Sequence, residues 1–395
     1  MPEGQGEASA RFRRVLLALI LGQIGLHATM AGVRMAAPLL ALRDGHSAWN
    51  VGVLMALYAA APVLLALRAG RMADRHGYHR PVRIAIALSL LGALLALVAT
   101  FAAPAARLVL LGVSAALVGS GANLGLIVIQ RAAGQVVRTN AERVRMFSWL
   151  GVAPSLSNVV GPVAAGFMID LGGFRAAFAL ILALPLLTLA CSRMVPAETS
   201  AGAPVPETRS SWTLLDAPGM KRLLCVNWVL SACWDVHTFA VPILGFERGF
   251  RASTIGLILG TFTLTVSGVR LLIPLWAHRL SEITVLRAAM VGTGVVFGLY
   301  PLAHAPWLMG LCAALLGLTL GSVQPMIMSM LHQLTPDSRY GEAIAMRSMV
   351  MNASSTAMPL VFGATGAALG AAALFWLVGA AVAAGSWVAR RLPGS

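Results

Sequence analysis

The chain alternates between long apolar runs and short polar segments over its whole length. Twelve runs reach about 20 residues or more, the length that an α-helix needs to cross the hydrocarbon core of a bilayer. They cover residues 15–42, 48–67, 82–103, 107–129, 146–169, 174–194, 222–245, 253–275, 284–303, 307–331, 343–365 and 370–389. The pattern predicts an all-α polytopic membrane protein with twelve transmembrane helices.

The longest polar segment separates the sixth run from the seventh, so that each side holds six predicted helices. Its sequence, MVPAETSAGAPVPETRSSWTLLDAPGM, contains four prolines, a composition that favours an extended linker. A shift of 204 residues aligns the two sides and matches Pro38 with Pro242, Gly52 with Gly256, Ala73 with Ala277, Arg75 with Arg279, and Arg83 with Arg287. We therefore expect an N-terminal half at 1–194, a cytoplasmic linker at 195–219 and a C-terminal half at 220–395, related by pseudo-symmetry as in transporters built from repeats.

The composition excludes a water-soluble globule, because 58% of the residues are hydrophobic and 11% are charged, against about 45–50% and 25% in soluble domains. A net charge of +15 would suggest a nucleic-acid partner in a soluble protein. Here 21 of the 29 Lys and Arg residues lie in segments on the side of the N-terminus, and five lie in the opposite loops. Since positive loops stay inside, both termini are predicted to be cytoplasmic, in a cell (inner) membrane, and no nucleic-acid partner is expected.

The loop after the second run reads GRMADRHGYHR. It resembles the signature loop of the major facilitator superfamily of bacterial-type transporters, whose pattern is G-x-x-x-[DE]-[RK]-x-G-x-[RK]-[RK]. The matching residues are Gly70, Asp74, Arg75, Gly77 and Arg80, while His79 replaces one basic residue. The resemblance implies a gate in which Asp74 accepts hydrogen bonds from a helix N-terminus when the cytoplasmic side is closed. The alternative is a solvated basic loop that only sets topology.

The fifth run contains SNVVGPVAAG, which resembles the antiporter motif of the same superfamily. Gly161, Pro162 and Gly166 match the core of that motif, and small residues at these positions permit close helix packing. The resemblance implies export of a drug or metabolite. One departure stands against a proton-coupled drug exporter: Ala115 occupies the place, four residues before Gly119, where such exporters usually carry an arginine.

The segment SRYGEAIAMRSMVMN also resembles the superfamily's entry into span eleven. It places Glu342 and Arg347 near the cytoplasmic end of that span. The simplest interpretation is that both are interfacial charges that snorkel to the membrane surface.

Polar residues inside apolar spans are costly, and they are therefore candidates for the substrate or proton pathway. They form stripes on single helix faces in four spans, which by resemblance are those that line the central cavity of the superfamily. The candidates are Gln23, His27 and Arg34 in the first span, Asn123 in the fourth, Asn227 and Asp235 in the seventh, and Gln324 in the tenth. For a single Ser, Asn or Gln, the alternative is a hydrogen bond between helices.

Asp235 is the only acid deep in a predicted span, so it is the foremost candidate for carrying a coupling proton. His237 follows two residues later and is expected to point elsewhere. Under the repeat alignment, Arg34 and Asp235 differ in depth by about 4.5 Å, so that the two could pair.

Together these patterns predict a secondary active transporter, most simply a proton-coupled exporter of a small organic molecule or drug that works by alternating access. The alternative transporter is an importer or uniporter of an organic anion, with Arg34 as the partner of the anion. A distant alternative is a membrane acyltransferase-like enzyme, since His332 and Asp337 match an H-x-x-x-x-D pattern. We expect a monomer in a lipid bilayer, with no cofactor, no metal and no enzymatic activity.

Overall fold

The computed structural model describes residues 3–136, 140–196, 211–276, 281–336 and 340–390. Within these ranges every regular element is helical. The α-helices, in chain order, are α1 (Glu3–Arg43), α2 (Ala48–His76), α3 (His79–Ala99), α4 (Pro104–Val136), α5 (Asn140–Ser192), α6 (Met220–Glu247), α7 (Ala252–Trp276), α8 (Glu282–Leu299), α9 (Pro306–Gly321), α10 (Val323–Gln333) and α11 (Tyr340–Ala389).

Nine stretches of this described chain are helical, long and apolar enough to cross a membrane. Two of them, Leu150–Ser192 and Met346–Trp387, contain 43 and 42 residues, roughly twice the length that one crossing needs. Each is broken at a glycine with a positive φ, 74° at Gly173 and 85° at Gly370, a conformation that residues with a β-carbon rarely adopt. A multi-pass helical membrane protein is therefore confirmed, while the count of twelve spans stays a prediction.

The chain forms two compact units, each with its own helix packing. In the first unit, Met1–Asp44 with Leu57–Val205, α1 packs along α5 and α3 packs along α4. In the second unit, Gly45–Ala56 with Pro206–Ser395, α11 packs along both α6 and α8, and α7 packs along α9. The division of the chain at a 195–219 linker stays a prediction, and residues 197–210 of that linker lie outside the described ranges.

Close helix contacts in the first unit depend on small residues. Gly25 of α1 faces Thr188 of α5, and a β-carbon there would approach the carbonyl oxygen of Leu184 to 2.8 Å. Thr188 in turn donates a 2.7 Å hydrogen bond from its hydroxyl to the carbonyl of Gly22. Because no side chain separates the two backbones, α1 and α5 are held at short range.

Candidate functional site

Asn227 and Asp235 lie on the face of α6 that packs against α11, and each has a side-chain partner on that helix. The Nε atom of Arg347 donates to Oδ1 of Asn227 at 3.2 Å, and the hydroxyl of Ser355 donates to Oδ2 of Asp235 at 3.2 Å. The two links are eight residues apart on both helices, so α6 and α11 run side by side in the same direction. The structure thus joins two sequence-predicted residues to two partners across one helix interface.

Asp235 is almost completely buried, with 5% of its surface exposed. Beside it on α6, the hydroxyl of Thr238 donates a hydrogen bond that is shared between the backbone carbonyls of Trp234 and Asp235, each at 3.2 Å. Ser355 was not predicted from the sequence, because a single serine in a span is not distinctive. Only the packing of α11 on α6 brings its hydroxyl to the Asp235 carboxylate. An acid inside an apolar helix pair is costly, and such groups mark ion and proton pathways.

The prediction that His237 points away from Asp235 is confirmed. Its Nε2 atom lies 2.9 Å from the hydroxyl of Tyr300, and its ring packs 4.2 Å from that of Phe262. Tyr300 is stacked on Phe375 with ring centroids 4.7 Å apart. His237 is therefore part of the aromatic packing between α6, α7 and the end of α8, on a different side of α6 from the acid.

Arg347 does not snorkel, and that interpretation of the sequence was wrong. Its side chain is 8% exposed and hydrogen-bonded to Asn227 inside the second unit. An arginine snorkels when its apolar stem extends towards the membrane surface and leaves the guanidinium in water. Here the Asn227 amide oxygen accepts a hydrogen bond from the guanidinium inside the protein instead. The backbone of Glu342 belongs to α11, but its side chain lies outside the described residues.

The polar stripe of α1 is brought together in the first unit. The amide of Gln23 lies 3.3 Å from Nδ1 of His27, one helical turn away, and Gln23 is fully buried. Arg34 is near enough for its charge to act on both His27 and the hydroxyl-bearing ring of Tyr58 on α2. The pairing of Arg34 with Asp235 stays a prediction.

Asn123 and Gln324 are also predicted pathway residues. Among the described residues, neither shows a hydrogen bond to the Gln23–His27 pair or to the Asn227–Asp235 face. Asn123 is half-buried on α4, and Gln324 is exposed on α10. Their assignment to a substrate pathway stays a prediction.

The antiporter-like motif forms the tight contact between α5 and α1. Gly161, Pro162, Ala165 and Gly166 are all buried. A β-carbon at Gly161 would approach the carbonyl oxygen of Ala28 to 2.7 Å, so this crossing needs glycine. One turn earlier, the hydroxyl of Ser157 donates to the carbonyl of Ala153 at 2.7 Å. The motif therefore has a structural role in the first unit, and its link to export stays a proposal.

The signature loop forms the turn between α2 and α3. Gly77 has a φ of 62°, which explains the glycine at that position, and Arg80 is exposed in the first turn of α3. Gly70, Asp74 and Arg75 fall on the α2 backbone, and their side chains lie outside the described residues. The role of Asp74 as the acceptor of the gate therefore stays a prediction.

Two other kinds of chemistry, metal binding and acyl transfer, can be compared with the described part of the chain. No group of three or more His, Cys, Asp or Glu side chains there could hold a metal ion. Of the acyltransferase-like pair, His332 is exposed near the end of α10, and Asp337 lies outside the described residues.

Comparison with known proteins identifies the architecture. The profile of the Major Facilitator Superfamily matches residues 19–234 and again 223–394. The class C tetracycline resistance protein of Escherichia coli is 29% identical over 388 residues, covering 93% of this chain and 94% of that protein. Among solved structures, the nucleoside transporter NupG has a TM-score of 0.75 at 12% identity, covering 95% of this chain and 99% of that one. A bacterial homologue of the iron transporter ferroportin, in its inward-facing state, has a TM-score of 0.74 at 18% identity, covering 96% and 98%.

Proposed function

Because the chain belongs to the Major Facilitator Superfamily, a family of transporters, we propose that it exports a small organic molecule across the cell (inner) membrane by alternating access. The export is driven by an inward proton gradient, and the working unit is a monomer with cytoplasmic termini. Family membership also argues for a transporter and against the acyltransferase alternative.

Export is favoured by the relative that matches nearly the full length of the chain, whose name describes resistance to a drug. The antiporter-like motif at Gly161 and Pro162 supports the same direction. Ala115, where an arginine would stand in proton-coupled drug exporters, argues for a coupling route that uses other groups.

The observation that carries proton coupling is the burial of Asp235 against α11, with the Ser355 hydroxyl on one carboxylate oxygen. A coupling group must bind and release a proton within the span, which arginine, serine and asparagine cannot do near neutral pH. A carboxyl that becomes neutral on protonation lowers the cost of moving it through an apolar interior. Protonation of His27 has the opposite effect, because it adds a charge beside Arg34.

The test is transport into inside-out vesicles, with tetracycline as the first compound of a panel of drugs and metabolites. With the vesicle interior acidic, the wild-type chain should accumulate substrate, and Asp235→Asn should lose accumulation while keeping exchange without a gradient. Asp216→Asn is the matched control, because Asp216 is exposed ahead of α6. If Asp235→Asn accumulates substrate with unchanged pH dependence, Asp235 is structural and His27 is the next candidate. If substrate is taken up by right-side-out vesicles and not by inside-out vesicles, the importer alternative is established.

A further inference from the structure

The link between Asp235 and Ser355 lies near the middle of α6 and at the same depth on α11. Asp235 follows Met220, the first residue of α6, by 15 residues, and Ser355 follows Tyr340, the first residue of α11, by 15 residues, about 22 Å along each axis. Because Asp235 is 5% exposed, its carboxylate depends on hydrogen bonds from the protein in place of water. The hydroxyl of Ser355 donates one such bond, to Oδ2 at 3.2 Å.

Ser355 directs its hydroxyl differently from three other hydroxyl-bearing residues of α11. Ser348, Thr356 and Thr365 each donate to the carbonyl four residues earlier, at 2.9, 3.0 and 2.8 Å, a common arrangement for a hydroxyl inside a helix. The hydrogen bond from Ser355 crosses to α6 instead. A hydrogen bond to an ionised acceptor is roughly twice as strong as one to a neutral acceptor. The direction of this bond therefore indicates that Ser355 recognises the charged acid.

A serine hydroxyl also suits an acid that changes its protonation state. It donates to a charged carboxylate, and after rotation about the Cβ–Oγ bond it accepts from the O–H of a neutral carboxyl group. An arginine or lysine partner has donors alone and could not accept from the neutral form. With serine, the contact between α6 and α11 at Asp235 is therefore compatible with both states of the acid.

We propose that Ser355 is the positioning residue of the proton-coupling acid. Its hydroxyl binds Oδ2 of Asp235, holds the carboxyl group in one orientation against α11, and keeps that orientation when the acid binds and releases a proton. This inference rests on the proposed transport function and deepens it, because it names the partner through which the acid is held. Ser355 itself neither gains nor loses a proton.

Two neighbouring serines of α11 provide a matched pair of variants. Ser355→Ala removes the hydroxyl that reaches the acid, whereas Ser354→Ala removes a buried hydroxyl that has no hydrogen-bond partner among the described residues. Inside-out vesicles with an acidic interior measure both variants with tetracycline. Ser355→Ala should lower proton-driven accumulation at least about tenfold, the effect of one lost hydrogen bond to a charged group, and should keep exchange without a gradient. Ser354→Ala should match the wild-type chain in both assays.

A conservative variant separates the hydroxyl from the rest of the side chain. Ser355→Thr keeps the hydroxyl and adds a methyl group at a half-buried position, so it should restore most of the accumulation that Ser355→Ala loses. The proposal is overturned if Ser355→Ala accumulates tetracycline like the wild-type chain, if Ser354→Ala loses accumulation equally, or if Ser355→Thr is as defective as Ser355→Ala. Loss of exchange together with accumulation in Ser355→Ala would also overturn it, because that result marks a serine needed only for folding.

Infrared difference spectra between acidic and neutral buffer give a readout that does not depend on transport. In the purified full chain, the band of protonated Asp235 is the carboxyl C=O stretch that Asp235→Asn lacks. This band should shift in Ser355→Ala, because the carboxyl group loses a hydrogen bond, and should return to its wild-type position in Ser355→Thr. An unshifted band in Ser355→Ala, or the absence of any band that depends on Asp235, would overturn the proposal.

The two readouts distinguish failure of this inference from failure of the export proposal. If the wild-type chain accumulates no compound of the panel while the Asp235 band shifts in Ser355→Ala, the export proposal fails and the role of Ser355 in holding the acid stands. If the wild-type chain accumulates substrate and Ser355→Ala changes neither accumulation nor the band, the export proposal stands and the assignment of Ser355 fails.

Discussion

The guanidinium of Arg107 holds the carboxylate of Asp44 through hydrogen bonds of 2.6 and 2.8 Å to its two oxygens. The same side chain donates to the backbone carbonyls of Ala99, at 3.1 Å, and Ala102, at 2.9 Å. One arginine thus fastens the end of α1 to the turn between α3 and α4. It adds a second donor to the carbonyl of Ala99, which also accepts from the N–H of Ala102 at 3.1 Å, and it supplies a donor to the carbonyl of Ala102 in the turn.

Loss of Arg107 should destabilise the first unit. We expect Arg107→Ala to lower the free energy of unfolding by about 2 kcal/mol, because a partly buried carboxylate and the Ala102 carbonyl lose their donor and the Ala99 carbonyl loses one of two donors. Asp44→Asn should cost roughly half as much, since the carbonyl bonds remain. A thiol-reactive dye provides the melting curve in a Cys225→Ser background, because Cys225 is exposed whereas Cys191, Cys233 and Cys312 are buried in the folded chain. An equal loss in Arg83→Gln, which removes an exposed charge on α3, would contradict the specific role of the link.

The second unit contains an equivalent arginine link, but its arginine follows α6, the counterpart of α1, and not the turn that the helix contacts. The shift of 204 residues that aligns the repeats places Arg248 at the position of Asp44 and Ala303 at that of Ala99. Arg248 follows α6 and donates to the carbonyls of Tyr300, Pro301 and Ala303, in the turn before α9. The link is therefore retained, although the residues that make it differ.

Substitutions of Arg248 test whether its planar fork is needed. Arg248→Lys should recover only part of the stability lost in Arg248→Ala, because an ammonium group lacks the rigid geometry that bonds three carbonyls together. The same melting assay measures both variants, with Lys221→Gln, at the exposed start of α6, as the control. Full recovery by lysine would show that charge alone holds the turn.

The signature loop predicts a transport defect without a folding defect. Asp74→Asn should leave expression and melting temperature unchanged and slow transport at least about tenfold, because the gate loses its charged acceptor and with it about 1.4 kcal/mol or more of stabilisation. Initial rates in inside-out vesicles give the readout, and Asp74→Glu should restore part of the rate. If Asp74→Asn transports at the wild-type rate, the loop is not a gate and only sets the topology.

The distribution of basic residues predicts the orientation in the membrane. Alkaline phosphatase, which is active only outside the cytoplasm, should be inactive when fused to the C-terminus or within the 195–219 linker. A fusion after Ala303, in a loop predicted to face the opposite side, should be active and serves as the positive control. Activity at the C-terminus would refute the prediction that both termini are cytoplasmic, and together with an inactive N-terminal fusion it would refute the even number of spans.

The sequence by itself determined that this is a multi-pass helical transporter of the Major Facilitator Superfamily. Apolar length, charge placement and the turn at Gly77 are properties of short segments. Every helix that crosses a bilayer needs an apolar run of about the same length, whichever helices surround it. The apolar runs can therefore be found without knowledge of tertiary contacts. Small residues in a recognisable motif also indicated close helix packing at Gly161, although the partner helix, α1, was known only from the structure.

The partners of the polar residues were decided only by the tertiary structure. Helical spacing showed that Asn227 and Asp235 share a face of α6, but it contains no information about the helix opposite. Packing against α11 placed Ser355 on the acid and turned Arg347 inward onto Asn227, where sequence reasoning had expected an interfacial charge. The physical reason is that desolvation makes a buried charge or amide depend on whichever group a distant segment brings within about 3 Å.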